Sequence, residues 1–469
     1  MSAWVLACFA LFVLVHGVLL AHDIRNPEAF YEGDRADKRA NKVRVFLDIP
    51  DLRKVSSPTW SSIPALPFDG NIPKDLTVTE KLLNLGPPGD YLFHALPYAI
   101  GGPVAVILVQ LVLGLVAVVC VFQLARLLGL SEVYASLGTA LYILLPSSLF
   151  QPHVLVSEGL FNPLVAIAVY LLVRTVQVSF RWPAFLVAIA LLAVAMEIRT
   201  QLVLYPFVLV AIFLYYFRRN WARFVVPTLI VCFALPVAWV LFVSSQPNEL
   251  VIAKTELSAR RNLSGIVARM SLRAGFPFER GAYPGEEIPI PEFLGYAIRY
   301  PLALVQVKTT DVVELVSNPG ITALGKYLGV GLFNFRTETG RLFWSQVKWN
   351  AGVVGVVREL LRQDLAFLIP FLAACVVWSV LALGASFGAW LLIKDRRVGG
   401  AAKAVLFSIV TYNFAIVQVG EVTRVTQRSP YEFVIAILFT IAAQHLLQRR
   451  SALATARIRP PAGGSSPAD

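Results

Sequence analysis

Long, nearly continuous apolar runs recur along this chain of 469 residues. Each run is about 16 to 25 residues long, close to the roughly 20 apolar residues that a helix needs to cross a bilayer. Strands of a membrane barrel would instead alternate in polarity over about ten residues. Charged residues make up 15% of the chain, against about 25% in soluble domains. The sequence therefore predicts an all-α integral membrane protein.

The apolar runs predict about ten transmembrane helices. They lie at about 4–21, 104–125, 134–150, 156–173, 183–198, 201–217, 224–244, 367–393, 403–420 and 431–447. Basic residues concentrate in every second connection, at Arg126, Arg174, Arg181, Arg218, Arg219, Arg223, Lys394, Arg396, Arg397, Arg449 and Arg450. Because cytoplasmic loops carry an excess of Lys and Arg, we expect these connections and both termini to be cytoplasmic. The net charge of +12 thus comes largely from basic residues that orient the spans, and it does not indicate a nucleic-acid partner.

This topology leaves two large segments on the outer face, at about 22–103 and 245–366. We predict four units: a membrane module at 1–244 with spans 1–7, an outer segment at 245–366, spans 8–10 at 367–447, and a disordered cytoplasmic tail at 448–469. Apolar residues at helical spacing predict amphipathic helices at 32–47, 248–272 and 344–362. Pro and Gly between them predict a surface loop at 276–291.

Five carboxylates gather where the first span leaves the bilayer. They are Asp23, Glu28, Glu32, Asp34 and Asp37. Ionisable groups at a membrane boundary are costly and mark functional sites, so one of these acids can be a general base. Gly33-Asp34, with Asp37 three residues later, is equally typical of a helix N-cap with an acidic third position. The two roles are compatible.

Other charged residues lie at the ends of spans. Glu158 follows Ser157 at the turn between the third and fourth spans, near His153, where it either caps a helix or serves a buried polar role. Arg199 lies where the fifth span meets the sixth, two residues after Glu197, and residues two apart point to different faces of a helix. An Arg at the rim can bind phosphate through its planar fork of donors, or it can simply extend to the interface.

Arg424 and Arg428 lie in the short outer turn before the last span. Two Arg in an outer turn run against the usual charge bias, so they suit a lipid phosphate or a sugar carboxylate, or else lipid headgroups and water. No Walker loop and no zinc-binding His-Glu-x-x-His motif occurs. An Asp-x-Asp motif for a metal-bound nucleotide sugar is also missing, and we therefore expect no nucleotide donor.

Taken in order, these motifs resemble the GT-C superfamily of polytopic glycosyltransferases, and within it the branch of protein O-mannosyltransferases and the lipid A aminoarabinose transferase. The resemblance rests on Gly33-Asp34, Gly86-Pro87-Pro88-Gly89-Asp90 with Gly101-Gly102, Pro146 through Ser157-Glu158, Arg199 with Pro206, and Arg424 through Pro430. Lys38 and Arg35 stand where many members carry Tyr and Glu. Asp37 and Asp23 therefore remain alternatives to Asp34 as the catalytic base.

The resemblance implies transfer of a sugar from a polyprenyl-phosphate donor to an envelope glycan, lipid or protein, on the outer face of the bacterial cytoplasmic membrane. Arg199, with Arg424 or Arg428, would hold the donor phosphate. Asp34 would deprotonate the acceptor hydroxyl, with inversion at the anomeric carbon, and Glu158 would orient the acceptor. Polar residues near these positions are expected in the substrate cleft: Asp90, His94, His153 and Glu197. No cofactor is required, and a divalent metal is compatible with this mechanism without being needed.

Two other functions are compatible with a chain of this kind. A flippase or other transporter of lipid-linked sugars would explain many spans, but it would need polar residues deep along several of them, whereas here they cluster at one rim. A non-catalytic subunit of envelope-polysaccharide assembly is the second, and the two large outer segments with their carboxylates disfavour it.

Overall fold

The computed structural model of this chain describes residues 2–31, 43, 47, 89–244, 263–271, 273–276, 288–317, 324–325, 327–328, 365–419 and 429–458. Its helices are α1 (Ala3–Arg25), α2 (Gly89–Leu127), α3 (Glu132–Leu144), α4 (Pro146–Phe150), α5 (Glu158–Gln177), α6 (Trp182–Ile198), α7 (Tyr205–Tyr216), α8 (Ala222–Ser244), α9 (Ile290–Arg299), α10 (Pro301–Ser317), α11 (Leu365–Lys394), α12 (Gly400–Val419) and α13 (Glu432–Ile458). Short 3₁₀ turns lie at Pro27–Tyr31, Gln151–His153, Thr200–Leu202 and Ser429–Tyr431. All regular elements among the described residues are helical and several are long apolar helices, which confirms the predicted all-α membrane fold.

Each predicted span coincides with a helix or a bent pair of helices. Five described helices are long and apolar enough to cross a membrane alone, within α1, α2, α5, α11 and α13. A pair bent by 64°, formed by α3 and the segment from Pro146 to His153, adds a sixth candidate. The apolar parts of α6, α7, α8 and α12 are shorter. The number of ten spans therefore stays a prediction.

Helix α2 begins earlier than the sequence indicates. The predicted span starts near 104, but the helix starts at Gly89 and bends at Gly101 and Gly102. Gly102 has a φ of 62°, in the left-handed region that favours glycine. Pro97 and Pro103 lie inside the helix. The helix therefore begins before the expected boundary at 103, because two glycines absorb the bend and the chain is helical on both sides of it.

Helix α13 also runs past its expected end. The predicted span stops near 447 and a disordered tail was expected from 448, yet the helix continues to Ile458. Three alanines between 452 and 456 are among the strongest helix formers and extend the helix beyond its apolar part. Residues 459–469 lie outside the described residues.

The second outer segment is described in part. The predicted helix at 248–272 is described from 263, where residues 263–271 are helical, and α9 begins at Ile290, near the end of the predicted loop at 276–291. Arg269 donates to both carboxylate oxygens of Asp311 on α10, at 2.6 and 3.2 Å. These elements share a small apolar core of their own. The predicted helices at 32–47 and 344–362 lie outside the described residues, apart from Val43 and Leu47.

One apolar core unites α1, α2, α3, α5, α6, α7 and α8 with α11, α12 and α13. Helix α5 is its centre, since it packs against α2, α6, α12 and the turn Ser429–Tyr431. Of the 18-residue apolar window of α5, 83% is buried, so its surroundings are protein on nearly all sides. The N-terminal end of α5 therefore lies in the protein interior, beside the C-terminal ends of α1 and α6.

Candidate active site

A buried chain of one carboxylate and two imidazoles connects α1 to the turn before α5. Asp23, in the last turn of α1, lies 2.6 Å from Nδ1 of His153 through its Oδ2. Nε2 of His153 lies 2.8 Å from Nδ1 of His16, two turns earlier on α1. All three residues are at most 2% exposed. Residues predicted separately, Asp23 as a reserve base and His153 as a cleft residue, are thus brought into direct contact.

Tyr327 closes the other side of Asp23. Its hydroxyl donates to Oδ1 of Asp23 at 2.5 Å, so both carboxylate oxygens accept a hydrogen bond. Burial, and then the neighbouring Asp23 charge, raise the pKa of Tyr327 above its usual value, and the phenol therefore keeps its proton. Nδ1 of His22 lies 3.7 Å from the same carboxylate. Asp23 is held as a buried acceptor of hydrogen bonds, a geometry suited to orienting His153.

An ion pair links α5 to the end of α6. Glu158 is the first residue of α5, with Ser157 at the N-cap position, and Arg199 is the C-cap of α6. Nη1 of Arg199 donates to Oε1 of Glu158 at 2.8 Å, with the two side chains 19% and 7% exposed. The Arg199 guanidinium also lies 5.5 Å from the centre of the Phe161 ring. Arg199 therefore stands at a partly open rim, and its carboxylate partner is Glu158.

The glycine of the Gly-Pro-Pro-Gly motif explains how α2 reaches this rim. A Cβ atom at Gly89 would lie 2.3 Å from the backbone carbonyl carbon of Glu197. Only glycine permits so close an approach of two backbones. The first residue of α2 therefore lies directly against the last turn of α6, next to Arg199. Glu197 itself is partly buried.

A small cavity is lined both by His16 of the imidazole chain and by Glu158 of the ion pair. Its volume is about 30 Å³, and its polar wall includes His16, Ser147, Gln151, Glu158 and Asn162. Nδ2 of Asn162 donates to Oε1 of Gln151 at 2.6 Å. The opposite wall is apolar, with Phe12 and Val118 among its residues. Glu158 and His16 therefore line the same cavity.

Three hydrogen bonds to Tyr412 and Asn413 on α12 hold the turn that follows Arg199. The hydroxyl of Tyr412 on α12 donates to the carbonyl of Gln201 at 2.7 Å and accepts from the amide of Leu204 at 3.2 Å. The Gln201 side chain donates to Asn413 at 2.5 Å. The C-terminal spans therefore help to position Arg199.

Not every predicted site residue can be placed. Asp34, Asp37, Arg424 and Arg428 lie outside the described residues, as does the side chain of Asp90. His94 is fully buried in α2. Among the described residues, no group of three or more His, Cys, Asp and Glu side chains is placed to hold a metal ion.

Four residues of the cluster escaped the sequence analysis: His16, Gln151, Asn162 and Tyr327. His16 carried a usable signal, because an ionisable residue inside an apolar span points to a polar partner or a functional site. Gln151 and Asn162 carried a weaker one, as amides close to Glu158. Tyr327 carried none, since nothing near it in the sequence marks a contact with a residue 304 positions away.

Comparison with known proteins gives one family match, which lies within the predicted unit at 1–244. Residues 86–242 match the family model described as dolichyl-phosphate-mannose-protein mannosyltransferase. No curated protein matches the chain. Among solved structures, a crystal structure of ArnT from Cupriavidus metallidurans bound to undecaprenyl phosphate is similar over 98% of this chain and 82% of that one, with 14% identity and a TM-score of 0.38.

The matched region contains His153, Glu158 and Arg199, together with the Gly-Pro-Pro-Gly motif that begins at Gly86. These are the positions that carry much of the resemblance seen in the sequence. The match of residues 86–242, about a third of the chain, thus makes this region similar to the protein mannosyltransferases that the sequence resembles.

Proposed function

We propose that this protein transfers a sugar from a polyprenyl-phosphate donor to an envelope glycan, lipid or protein, with inversion at the anomeric carbon. The matched family is described by a lipid-phosphate sugar donor, which supports a donor of the same chemical class here. The reaction is assigned to the outer face of the bacterial cytoplasmic membrane, with both termini cytoplasmic, because of the distribution of Lys and Arg between the spans.

The observation that carries the proposal is the position of Arg199. Its guanidinium lies at a partly exposed rim, oriented by Glu158 and by the ring of Phe161. A planar guanidinium binds phosphate through two parallel hydrogen bonds. It would hold the donor phosphate and stabilise the charge that builds up on the leaving group, which is a large source of catalysis in transfer reactions. Arg424 or Arg428 is assigned to the same phosphate.

Asp34 is assigned as the general base that accepts the proton of the acceptor hydroxyl. Asp23 is less suited to that role, because it is fully buried and both of its oxygens accept hydrogen bonds from protein groups. A base must reach the proton that it removes. We therefore retain Asp34, with Asp37 as the alternative, and assign Asp23 to orienting His153.

Purified protein in lipid vesicles, incubated with radiolabelled polyprenyl-phosphate sugars, tests the function directly. Transfer predicts that label leaves the lipid and appears on an acceptor. A flippase would instead move the labelled lipid across the vesicle unchanged. A non-catalytic assembly subunit would do neither. Either of the last two outcomes would contradict the proposal.

An Asp34→Asn variant should fold and bind the donor, yet transfer sugar about 100- to 10,000-fold more slowly, the usual contribution of a positioned general base. The measurement is the initial rate of label transfer, with size-exclusion behaviour as the test of folding. Asp37→Asn is the matched control and should retain most of its activity. If Asp34→Asn kept more than roughly a tenth of the wild-type rate, well above what that range allows, the base would have to be another group.

A further inference from the structure

The cavity between α1 and α5 contains buried polar atoms that no described residue satisfies. They are Nε2 of His16, Nε2 of Gln151 and Oδ1 of Asn162, on side chains that all line the cavity. The three residues are at most 8% exposed. Buried polar groups are almost always hydrogen-bonded, and a polar cavity of about 30 Å³ has room for an ordered water that makes about three hydrogen bonds. The geometry therefore suits one water or hydroxyl group.

The hydrogen bonds of the imidazole chain determine what His16 presents to this cavity. The ionised Asp23 carboxylate only accepts, so Nδ1 of His153 carries a proton. The contact of 2.8 Å between Nε2 of His153 and Nδ1 of His16 needs a single proton between the two nitrogens. When both rings are neutral, that proton belongs to His16. Nε2 of His16 is then a hydrogen-bond acceptor, and His16 lines the same cavity as Glu158.

We propose that Asp23, His153 and His16 form a proton relay that draws a proton from Glu158 through a water in this cavity. An O–H bond of the water breaks as an N–H bond forms at Nε2 of His16. The Nδ1 proton of His16 passes to Nε2 of His153, and the water regains a proton from the Glu158 carboxyl group. The net change is one proton moved from Glu158 to His153, where ionised Asp23 balances the new positive charge.

The use of this relay rests on the proposed function. Transfer of a sugar to a hydroxyl group releases one proton per turnover to the general base, and the relay acts on that proton once the base has passed it to Glu158. Glu158 is bonded to the arginine that we assign to the donor phosphate. Binding of that phosphate by Arg199 would weaken the Glu158–Arg199 bond and leave Glu158 a better proton acceptor. The relay would then carry the proton away from the rim and hold it at His153, which leaves the Glu158 carboxylate ionised.

Other titratable groups face the relay and enter its pH dependence. At the Asp23 end these are His22, at 3.7 Å, and Tyr327. At the cavity end they are Tyr142, which lines the wall, and Glu432, which accepts a hydrogen bond from the cavity residue Ser147. Only the ring nitrogens of His16 and His153 report the protonation of the relay directly, and these are the nuclei to observe.

Nitrogen NMR of the full chain, labelled with ¹⁵N-histidine in lipid bilayers, tests the relay without any substrate. We expect a scalar coupling between Nε2 of His153 and Nδ1 of His16 across their shared proton. Both rings should change together as one proton is taken up, and Asp23→Asn should move that uptake to lower pH. Two rings that titrate independently, or uptake unchanged in Asp23→Asn, would overturn the proposal.

Two variants of His16 test its use in catalysis. The side-chain amide introduced by His16→Asn can replace the Nδ1 group that hydrogen-bonds to His153. The amide introduced by His16→Gln lies near the position of Nε2. Neither amide can pass a proton from one end to the other. Both should lose at least tenfold in kcat, with KM for the labelled donor unchanged and a flatter acid limb of the pH profile. His445→Gln, at the other end of the bundle beside Phe387, is the matched control and should behave as wild type.

Full kcat and an unchanged pH profile in both folded His16 variants would overturn the catalytic use of the relay. A wild-type protein that transfers no sugar, yet shows the coupled histidine pair and joint proton uptake, would contradict the proposed function while leaving the relay in place. The two failures are therefore distinguishable.

Discussion

Buried charge at the site is tolerated because each charged group has a specific partner. Glu158 and Arg199 lie mostly out of water, where an unpaired ion carries a desolvation penalty of several kcal/mol. Asp23 is more deeply buried still, and it is stabilised by donors on both oxygens. Such pairs contribute little net stability against an apolar replacement, but they fix the orientation of the groups involved. Their value here is the placement of Arg199 and His153.

The ion pair makes a prediction that does not depend on activity. Glu158→Gln and Arg199→Gln should each destabilise the protein, because each leaves the other charge without its partner. The double variant should lose less than the sum of the two, with a coupling energy of about 1–3 kcal/mol, as for residues in direct contact. The measurement is the free energy of unfolding in mixed micelles for all four proteins of the cycle. A coupling energy below about 0.5 kcal/mol, the lower limit for contacting residues, would show that the pair is not energetically linked.

At the scale of helices, close backbone approach positions the site. Gly159 follows Glu158 directly, and a Cβ atom there would overlap the side-chain amide of Gln110 on α2 and lie 2.8 Å from the carbonyl oxygen of Gln151. The amide nitrogen of Gln110, turned toward the chain, reaches the carbonyls of Gln151 and Pro152 at 3.1 Å. Helix α5, the turn before it and α2 are therefore packed at one point, beside the cavity.

Gly159→Ala should lower the free energy of unfolding by about 1–3 kcal/mol, the usual cost of overpacking a dense interior. Gly17→Ala is its matched control, since no atom lies within 4 Å of a Cβ at that position in α1, and an alanine inside a helix gains about 0.5–1 kcal/mol over glycine. Thermal unfolding followed by tryptophan fluorescence would compare the two. Equal melting temperatures for both variants would contradict the close approach of α5 to α2.

The elements themselves were largely predictable, because a span is encoded locally by its apolar length. Helix α5 begins at Glu158 and α6 ends at Ile198, both within two residues of expectation. The start of α2 was less predictable, since the helix begins at Gly89 and not near 104, and Gly101 and Gly102 bend it with non-helical backbone. Glycine can end a helix or bend it. A single sequence cannot separate these cases, since the outcome depends on what packs around the bend.

At the scale of the whole molecule, the site combines residues from distant parts of the chain. His16 and His153 are 137 positions apart, and Asp23 and Tyr327 are 304 apart. The rim positions Glu158 and Arg199 could be proposed from charge at span ends, but their pairing across 41 positions could not. Such contacts are set by the packing of helices in three dimensions. Local sequence shows which residues are costly to bury without showing which partner compensates for them.

Helix α12 also makes contacts of this long-range kind, with the turn that follows Arg199. Tyr412 on α12 bonds to the backbone of Gln201 and Leu204, in the turn that follows Arg199, over more than 200 positions of sequence. The predicted unit at 367–447 therefore supports the module at 1–244 through specific polar contacts as well as through the shared apolar core. A substitution on α12 should therefore weaken binding of the proposed donor phosphate, although it leaves Arg199 itself unchanged.

Tyr412→Phe tests that connection. The variant keeps the ring but removes the hydroxyl, so a carbonyl and an amide of the Arg199 turn lose a partner, at a cost of about 1–3 kcal/mol for buried groups. We expect a lower melting temperature together with a several-fold higher KM for the labelled donor, since the turn is less firmly held. Tyr170→Phe is the matched control. The Tyr170 hydroxyl accepts a hydrogen bond from the exposed Arg174 side chain, and its removal should leave KM unaltered. A Tyr412→Phe protein with wild-type KM would mean that the turn is positioned by α6 and α7 alone, and that the C-terminal spans contribute to stability without tuning the site.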